Sequence, residues 1–117
     1  MKNYFKDSEL QCTCGCNKNN FQTETKMMLN VARERAGIPF IVNSACRCDF
    51  HNKLVGGSPT SSHLKGVAVD IRVINSNHRL IIASALLYAG FKRIGIANGF
   101  IHADNDTRKT QEVLWTY

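Results

Sequence analysis

The stretch Val67–Val73 reads VAVDIRV, and its strict alternation admits one local structure. Successive side chains of a β-strand leave opposite faces, so Val67, Val69, Ile71 and Val73 share one side and Ala68, Asp70 and Arg72 the other. The first set demands an apolar layer to pack against. The second puts a carboxylate on a strand face, where it needs local hydrogen bonds or a cation. Just upstream, SSHLKG brings His63 toward the same strand, so two groups with ligand chemistry enter it together.

The apolar layer is supplied by helices. TETKMMLNVARERA, Thr23–Ala36, is amphipathic, with Met27, Met28, Val31 and Ala32 on one side, Gly37 as its stop and Pro39 beyond. A second helix runs through HRLIIASALLYA from a cap at Asn77 to a stop at Gly90. Phe40–Ser44 reads as a strand, Phe50–Leu54 as a short helical turn, and the Gly-Gly/Ser-Pro run after it as a loop. In RIGIANGFIHAD, Asn98-Gly99 separates two apolar runs and predicts a type I′ hairpin. Its second strand sets Phe100, His102 and Asp104 on one face, with Ile101 and Ala103 on the other. EVLWTY is a last strand packing Trp115. The expected class is α+β, a small antiparallel sheet with flanking helices. The chain is expected to be one domain over residues 1–117, with residues 1–20 a polar, cysteine-rich arm.

Fifteen Lys and Arg against nine Asp and Glu give a formal charge of +6, which suits an anionic partner such as a cell-wall polymer or nucleic acid. The basic residues are scattered and form no aromatic–basic platform, so no specific nucleic-acid partner is expected. The start, MKNYFKDSELQC, has no apolar run that could serve as a signal peptide or enter a membrane. Synthesis in the cytoplasm as a soluble monomer is the expectation, and work outside would require release by another agent. Five cysteines form two clusters, CTCGC at Cys12–Cys16 and CRC at Cys46–Cys48. An odd count without a secretion signal argues against a complete disulfide framework, and C-x-C-x-C is a poor zinc-finger spacing. Free or locally paired thiols, a structural metal uniting the clusters, and a disulfide between them all stay open.

Two histidines stand apart from the rest. His63 follows a glycine-rich loop and precedes the strand with Asp70, and His102 lies on the hairpin strand. Two imidazoles and a carboxylate from separate elements, with one position open, make a ligand set for a catalytic zinc. His51 and His78 read as structural or surface residues.

The pattern S-x-H-x-x-G-x-A-x-D at Ser61–Asp70, preceded by SACRCDFHNKLVGG and followed by GFIHAD, resembles the zinc D-Ala-D-Ala peptidases of the M15 family. The likeness extends from about Phe5 to Trp115 and is nearest to small domains of phage and bacterial peptidoglycan hydrolases. It implies the fold that these peptidases share with hedgehog signalling domains. It also implies a Zn2+ cofactor held by His63, Asp70 and His102, and a peptidoglycan stem peptide as substrate. Arg47 matches the family's arginine that holds the substrate's carboxylate or carbonyl, a task suited to a planar guanidinium fork. Ser61 would hydrogen-bond near the substrate or orient a ligand. Gly66 and Ala68 would keep the backbone near the metal uncrowded, and Asn52 would tether the loop. The short single-domain form leans toward a phage-type lysis protein acting on the wall, in the periplasm or from a virion.

One departure bears on mechanism. Many relatives carry an acid three residues before the last zinc histidine, and here Gly99 stands there. Asp104, about 7 Å along the strand from His102, is the expected general base. Its alternative role is to orient a ligand, and Asp106 is the reserve candidate. A zinc-stabilised binding module without turnover, as in the hedgehog domains, is the competing reading.

Overall fold

A computed structural model describes residues 2–117; Met1, the first residue of the expected arm, lies outside them. The chain forms α1 (Asp7–Leu10), α2 (Thr23–Ala36), β1 (Val42–Ser44), α3 (Asp49–Leu54), a 3₁₀ turn (Ser62–Lys65), β2 (Ala68–Arg72), α4 (Ser76–Tyr88), β3 (Arg93–Ile96), β4 (Phe100–Asp104) and β5 (Val113–Thr116). The five strands make one sheet in the order β1-β2-β4-β3-β5. The class is α+β, as expected.

The alternation in VAVDIRV holds from Val69 onward, while Val67 precedes β2, is half-buried and stays outside the core. Val69, Ile71 and Val73 join the hydrophobic core, together with Ile94 of β3 and Ile101 and Ala103 of β4. Helices α2 and α4 pack on one another and close that layer with Leu29, Ala32, Ile82, Ala85 and Leu86. One sheet face is therefore spent on the core. The opposite face of β2 and β4 is left to Asp70 and His102, which sit directly across the β2–β4 ladder.

The buried side of α2 differs from expectation. Thr25, Leu29, Asn30 and Ala32 are buried, while Met27 is exposed. The i, i+4, i+7 stripe of Thr25, Leu29 and Ala32 is the one that meets α4 and the sheet. Gly37 ends the helix in the left-handed region at φ 68°. The cap of α4 is Asn75, not Asn77: its side chain accepts from the His78 N–H at 2.8 Å.

The β3–β4 hairpin forms, yet neither Asn98 nor Gly99 is among the residues of positive φ, so the turn is not type I′. Tertiary bonds shape it instead. Arg79 Nη2 donates to the Asn98 carbonyl at 2.8 Å, and Val73 N–H donates to the Gly99 carbonyl at 2.9 Å.

The sheet is also not wholly antiparallel, since β5 pairs with β3 in parallel. Strand β4 delivers the chain to the edge where β3 begins, with Arg93 opposite Asp104. The 105–112 segment then crosses that edge and starts β5 opposite Arg93. Arg93 holds the crossing by donating to the Thr110 carbonyl at 2.6 Å.

The arm is more than irregular turns. Phe5 and Leu10 belong to the core, and the Leu10 carbonyl accepts from Cys46 N–H at 3.0 Å. Among the described residues no helix is long and apolar enough to cross a membrane.

Candidate metal centre

Three elements deliver the donors. Ser61 caps the 3₁₀ turn by accepting from the His63 N–H at 3.2 Å, which fixes the backbone that carries the imidazole. The turn ends at Gly66, with φ 70°. A Cβ there would collide with the Asn20 carbonyl. Glycine is therefore required by the approach of the arm, rather than by clearance around a metal. Strands β2 and β4 bring Asp70 and His102 face to face. Donor atoms of His63, Asp70 and His102, one from each, lie within 4.8 Å of one another.

Each imidazole has its outer nitrogen anchored and turns the other toward Asp70 at the centre. His63 Nδ1–H donates to the Ala45 carbonyl at 2.7 Å, leaving Nε2 at 3.3 Å from Asp70 Oδ2. His102 Nε2–H donates to Asp104 Oδ2 at 2.7 Å, leaving Nδ1 at 2.9 Å from Asp70 Oδ1. Metal-binding histidines characteristically have their second nitrogen tied to a carbonyl or carboxylate in this way. Two nitrogens and a carboxylate are a donor set that zinc accepts, with a coordination position left for water or substrate. The residues fit the ion.

The electrostatics agree. Burial works against ionising Asp70, but hydrogen bonds from His102 and His63 outweigh it and hold the carboxyl well below the usual range. Burial likewise disfavours the charged form of His102, yet Asp104 and Asp70 raise its pKa. For Asp104, burial is outweighed by the bonds from His102 and the Asp106 N–H and by the Arg93 charge, which lower its pKa. Two carboxylates thus flank one imidazole and create a strong demand for positive charge.

The centre opens into a cleft of about 410 Å³ lined by His63, Asp70, His102, Arg47, Ser61 and Tyr117, among others. Arg47 Nη2 lies 3.5 Å from Asp70 Oδ2. Its guanidinium is braced by donation from Nε to Ser44 Oγ at 3.1 Å and from Nη1 to Asn52 Oδ1 at 3.3 Å. Asn52 in turn donates to the Ser58 carbonyl at 2.8 Å and ties down the loop.

Asp104 is placed differently from the other candidates. It is only 1% exposed, lies behind His102, and accepts from Arg93 Nε at 2.8 Å. Asp106 is buried too, accepting from Ser62 Oγ at 2.8 Å and from Arg108 Nη2 at 2.7 Å. Neither lines the cleft. His51 and His78 lie outside the metal group.

Sequence reasoning missed the loop residues Val55, Gly57 and Ser58 and two aromatic cleft residues, Phe100 and Tyr117. Their rings pack 5.1 Å apart. Phe100 was accessible from its i, i+2 relation to His102. Tyr117 required knowing that β5 lies beside β3. The Ala45 carbonyl that anchors His63 has no signal in the sequence at all.

Comparison with known proteins adds one match: a family model described as Peptidase M15 covers residues 3–104. No curated protein matches the chain.

Proposed function

Because the chain belongs to the peptidase M15 family, we propose that it is a zinc metallopeptidase that cleaves amide bonds in peptidoglycan stem peptides, at or near a D-Ala-D-Ala end. The observation that carries this reading is the Arg47 guanidinium, 3.5 Å from the Asp70 carboxylate on the wall of the same cleft. A cation-binding triad beside a braced arginine suits a substrate with a carboxylate close to its scissile amide.

His63, Asp70 and His102 would hold the ion. When bound, zinc supplies Lewis-acid polarisation of the scissile carbonyl and activates water near neutral pH. Arg47 receives the substrate carboxylate on a fork that Ser44 and Asn52 keep oriented. Ser61 sets the turn that presents His63 and lies on the cleft wall. Asp104 acts as a positioning residue, fixing which nitrogen of His102 carries the proton. Its burial and its bonds to His102 and Arg93 support that role over the general base.

The formal charge of +6 would favour residence on an anionic wall, an attraction that added salt screens. Such a substrate places the site of action at the cell wall, after synthesis in the cytoplasm, as for a phage lysis protein.

One observation favours a second reading, a zinc-stabilised binding module without turnover. Among the described residues, Asp70 is the only carboxylate lining the cleft. The zinc-loaded protein should be incubated with purified walls of several chemotypes and with a D-Ala-D-Ala-terminated pentapeptide. Release of D-Ala or stem peptides that a chelator abolishes and zinc restores is the expected result. No metal-dependent cleavage on any substrate, with zinc occupancy verified, would leave the binding module.

A further inference from the structure

Four of the five cysteines converge, three from the arm and one, Cys48, from 32 residues further on, and the peptidase reading makes no use of them. We propose that Cys12, Cys14, Cys16 and Cys48 form a second, structural zinc site that staples the N-terminal arm to the segment carrying Arg47.

The sulfur geometry is that of a metal cage. Sγ atoms lie 3.5 Å apart for Cys12 and Cys14, 3.8 Å for Cys12 and Cys48, and 3.6 Å for Cys14 and Cys48. Cys16 completes the group, with all four sulfurs within 4.8 Å of one another. Zinc–sulfur bonds of about 2.3 Å imply a tetrahedron with edges of about 3.8 Å. All five cysteines are free.

The backbone is shaped for this. C-x-C-x-C is too tight for the usual knuckle, but Gly15 takes φ 96° and Asn17 φ 60°, and these left-handed residues curl the arm so that its thiols meet. Three backbone N–H groups then point at three of the sulfurs. Cys48 N donates to Cys12 Sγ at 3.4 Å, Lys18 N to Cys16 Sγ at 3.4 Å, and His51 N to Cys48 Sγ at 3.3 Å. Donors of this kind stabilise thiolate charge. Cys46 is excluded: it is buried and its thiol donates to Asn19 Oδ1 at 3.7 Å.

The position of the cage explains what it would do. Helix α1 has four residues and α3 has six, too few for either to hold itself in place. Cys48 caps α3 and adjoins Arg47, and the Ala45 carbonyl three residues upstream anchors His63. A metal at the cysteines would fix the arm and this passage as one unit. Tetrahedral sulfur donors select zinc or iron, and closed four-thiolate sites without an open position are typical of structural zinc.

The test is metal stoichiometry on the full chain, purified without chelator. Wild type should carry two zinc ions. Cys14→Ser/Cys16→Ser, at two exposed positions, should carry one, and His63→Ala should also carry one. Cobalt reconstitution should give thiolate-to-cobalt charge-transfer bands in wild type and in His63→Ala, and none in the cysteine variant. Thiol titration of the chelated, unfolded wild type without reductant should find every cysteine reactive, a measurement that does not depend on any variant folding. A single zinc that vanishes with His63→Ala would overturn the proposal. So would iron in place of zinc, disulfides in the chelated chain, or cobalt–thiolate bands that persist without Cys14 and Cys16.

Discussion

Asp104 accepts a hydrogen bond from His102 Nε2 at 2.7 Å, on the side of the ring opposite to the nitrogen that faces Asp70 at 2.9 Å. A carboxylate there does to the imidazole what Ala45 does to His63: it holds the proton on the outer nitrogen. The arrangement makes the metal-facing electron pair of His102 depend on a residue that never reaches the cleft.

Asp104→Asn should therefore lower zinc affinity at the His/Asp centre by about 10- to 100-fold. At saturating zinc, kcat should stay within a few-fold of wild type. Competition with a chromogenic chelator separates the two quantities. Unchanged affinity with turnover lost would instead make Asp104 the general base.

Asp70→Ala removes the only charged donor of the triad and leaves two imidazoles that no longer share a counter-charge. The variant should bind one zinc fewer per chain than wild type and release no D-Ala. Retained metal together with retained activity would refute the ligand assignment.

Arg47→Lys keeps the charge but loses the fork braced by Ser44 and Asn52. A charge-assisted hydrogen bond is worth about 1.5–3 kcal/mol, so kcat/KM on a D-Ala-terminated peptide should fall about 10- to 100-fold. An amidated terminus should show a much smaller difference between the two proteins. Equal losses on both substrates would mean that Arg47 does not read the carboxylate.

Gly95 lies under the indole of Trp115, and a Cβ there would sit 2.6 Å from Trp115 Nε1. Trp115 in turn packs 5.6 Å from the His102 ring and under Arg93 at 5.1 Å. Gly95→Ala should cost about 1–3 kcal/mol by overpacking, read from the urea midpoint. A midpoint equal to wild type would show that the indole relocates freely.

Asp106 ties the 105–112 crossing to the turn that bears His63 through Ser62, and Arg108 pairs with it from within the crossing. The Arg108 hydrogen bond is the main reason its carboxyl sits well below the usual range, against the opposing effect of burial. A depressed folded pKa means stability that is present above the unfolded value of about 3.9 and lost as pH falls through the acidic range. Asp106→Asn should have a lower Tm at pH 7 and a shallower fall in Tm toward pH 3. Parallel Tm profiles for the two proteins would count against this.

Much of the architecture was legible because side-chain direction follows from backbone geometry. The core face of Val69, Ile71 and Val73, the span of α2 and the face shared by His102 and Asp104 appear as read, though Val67 stays outside the core. Errors arose where neighbours decide. Met27 looked as apolar as Leu29, but α4 and the sheet meet the Leu29 side. Asn98-Gly99 carried the dipeptide of a type I′ turn, but Arg79 and Val73 hold its carbonyls in another shape. C-x-C-x-C is a poor zinc-finger spacing taken alone, and which of the open cysteine arrangements can form turns on Cys48, 32 residues further on, which only the fold brings beside the arm.

Local pattern, then, was enough to specify strands, helices and a candidate donor set at His63, Asp70 and His102. Periodicity is a property of one segment and needs no partner. Which nitrogen of each histidine is free, whether Asp104 lies in the cleft or behind a ligand, and where Cys48 meets the arm depend on strand register and packing. Those are relations between segments, and only the folded chain decides them.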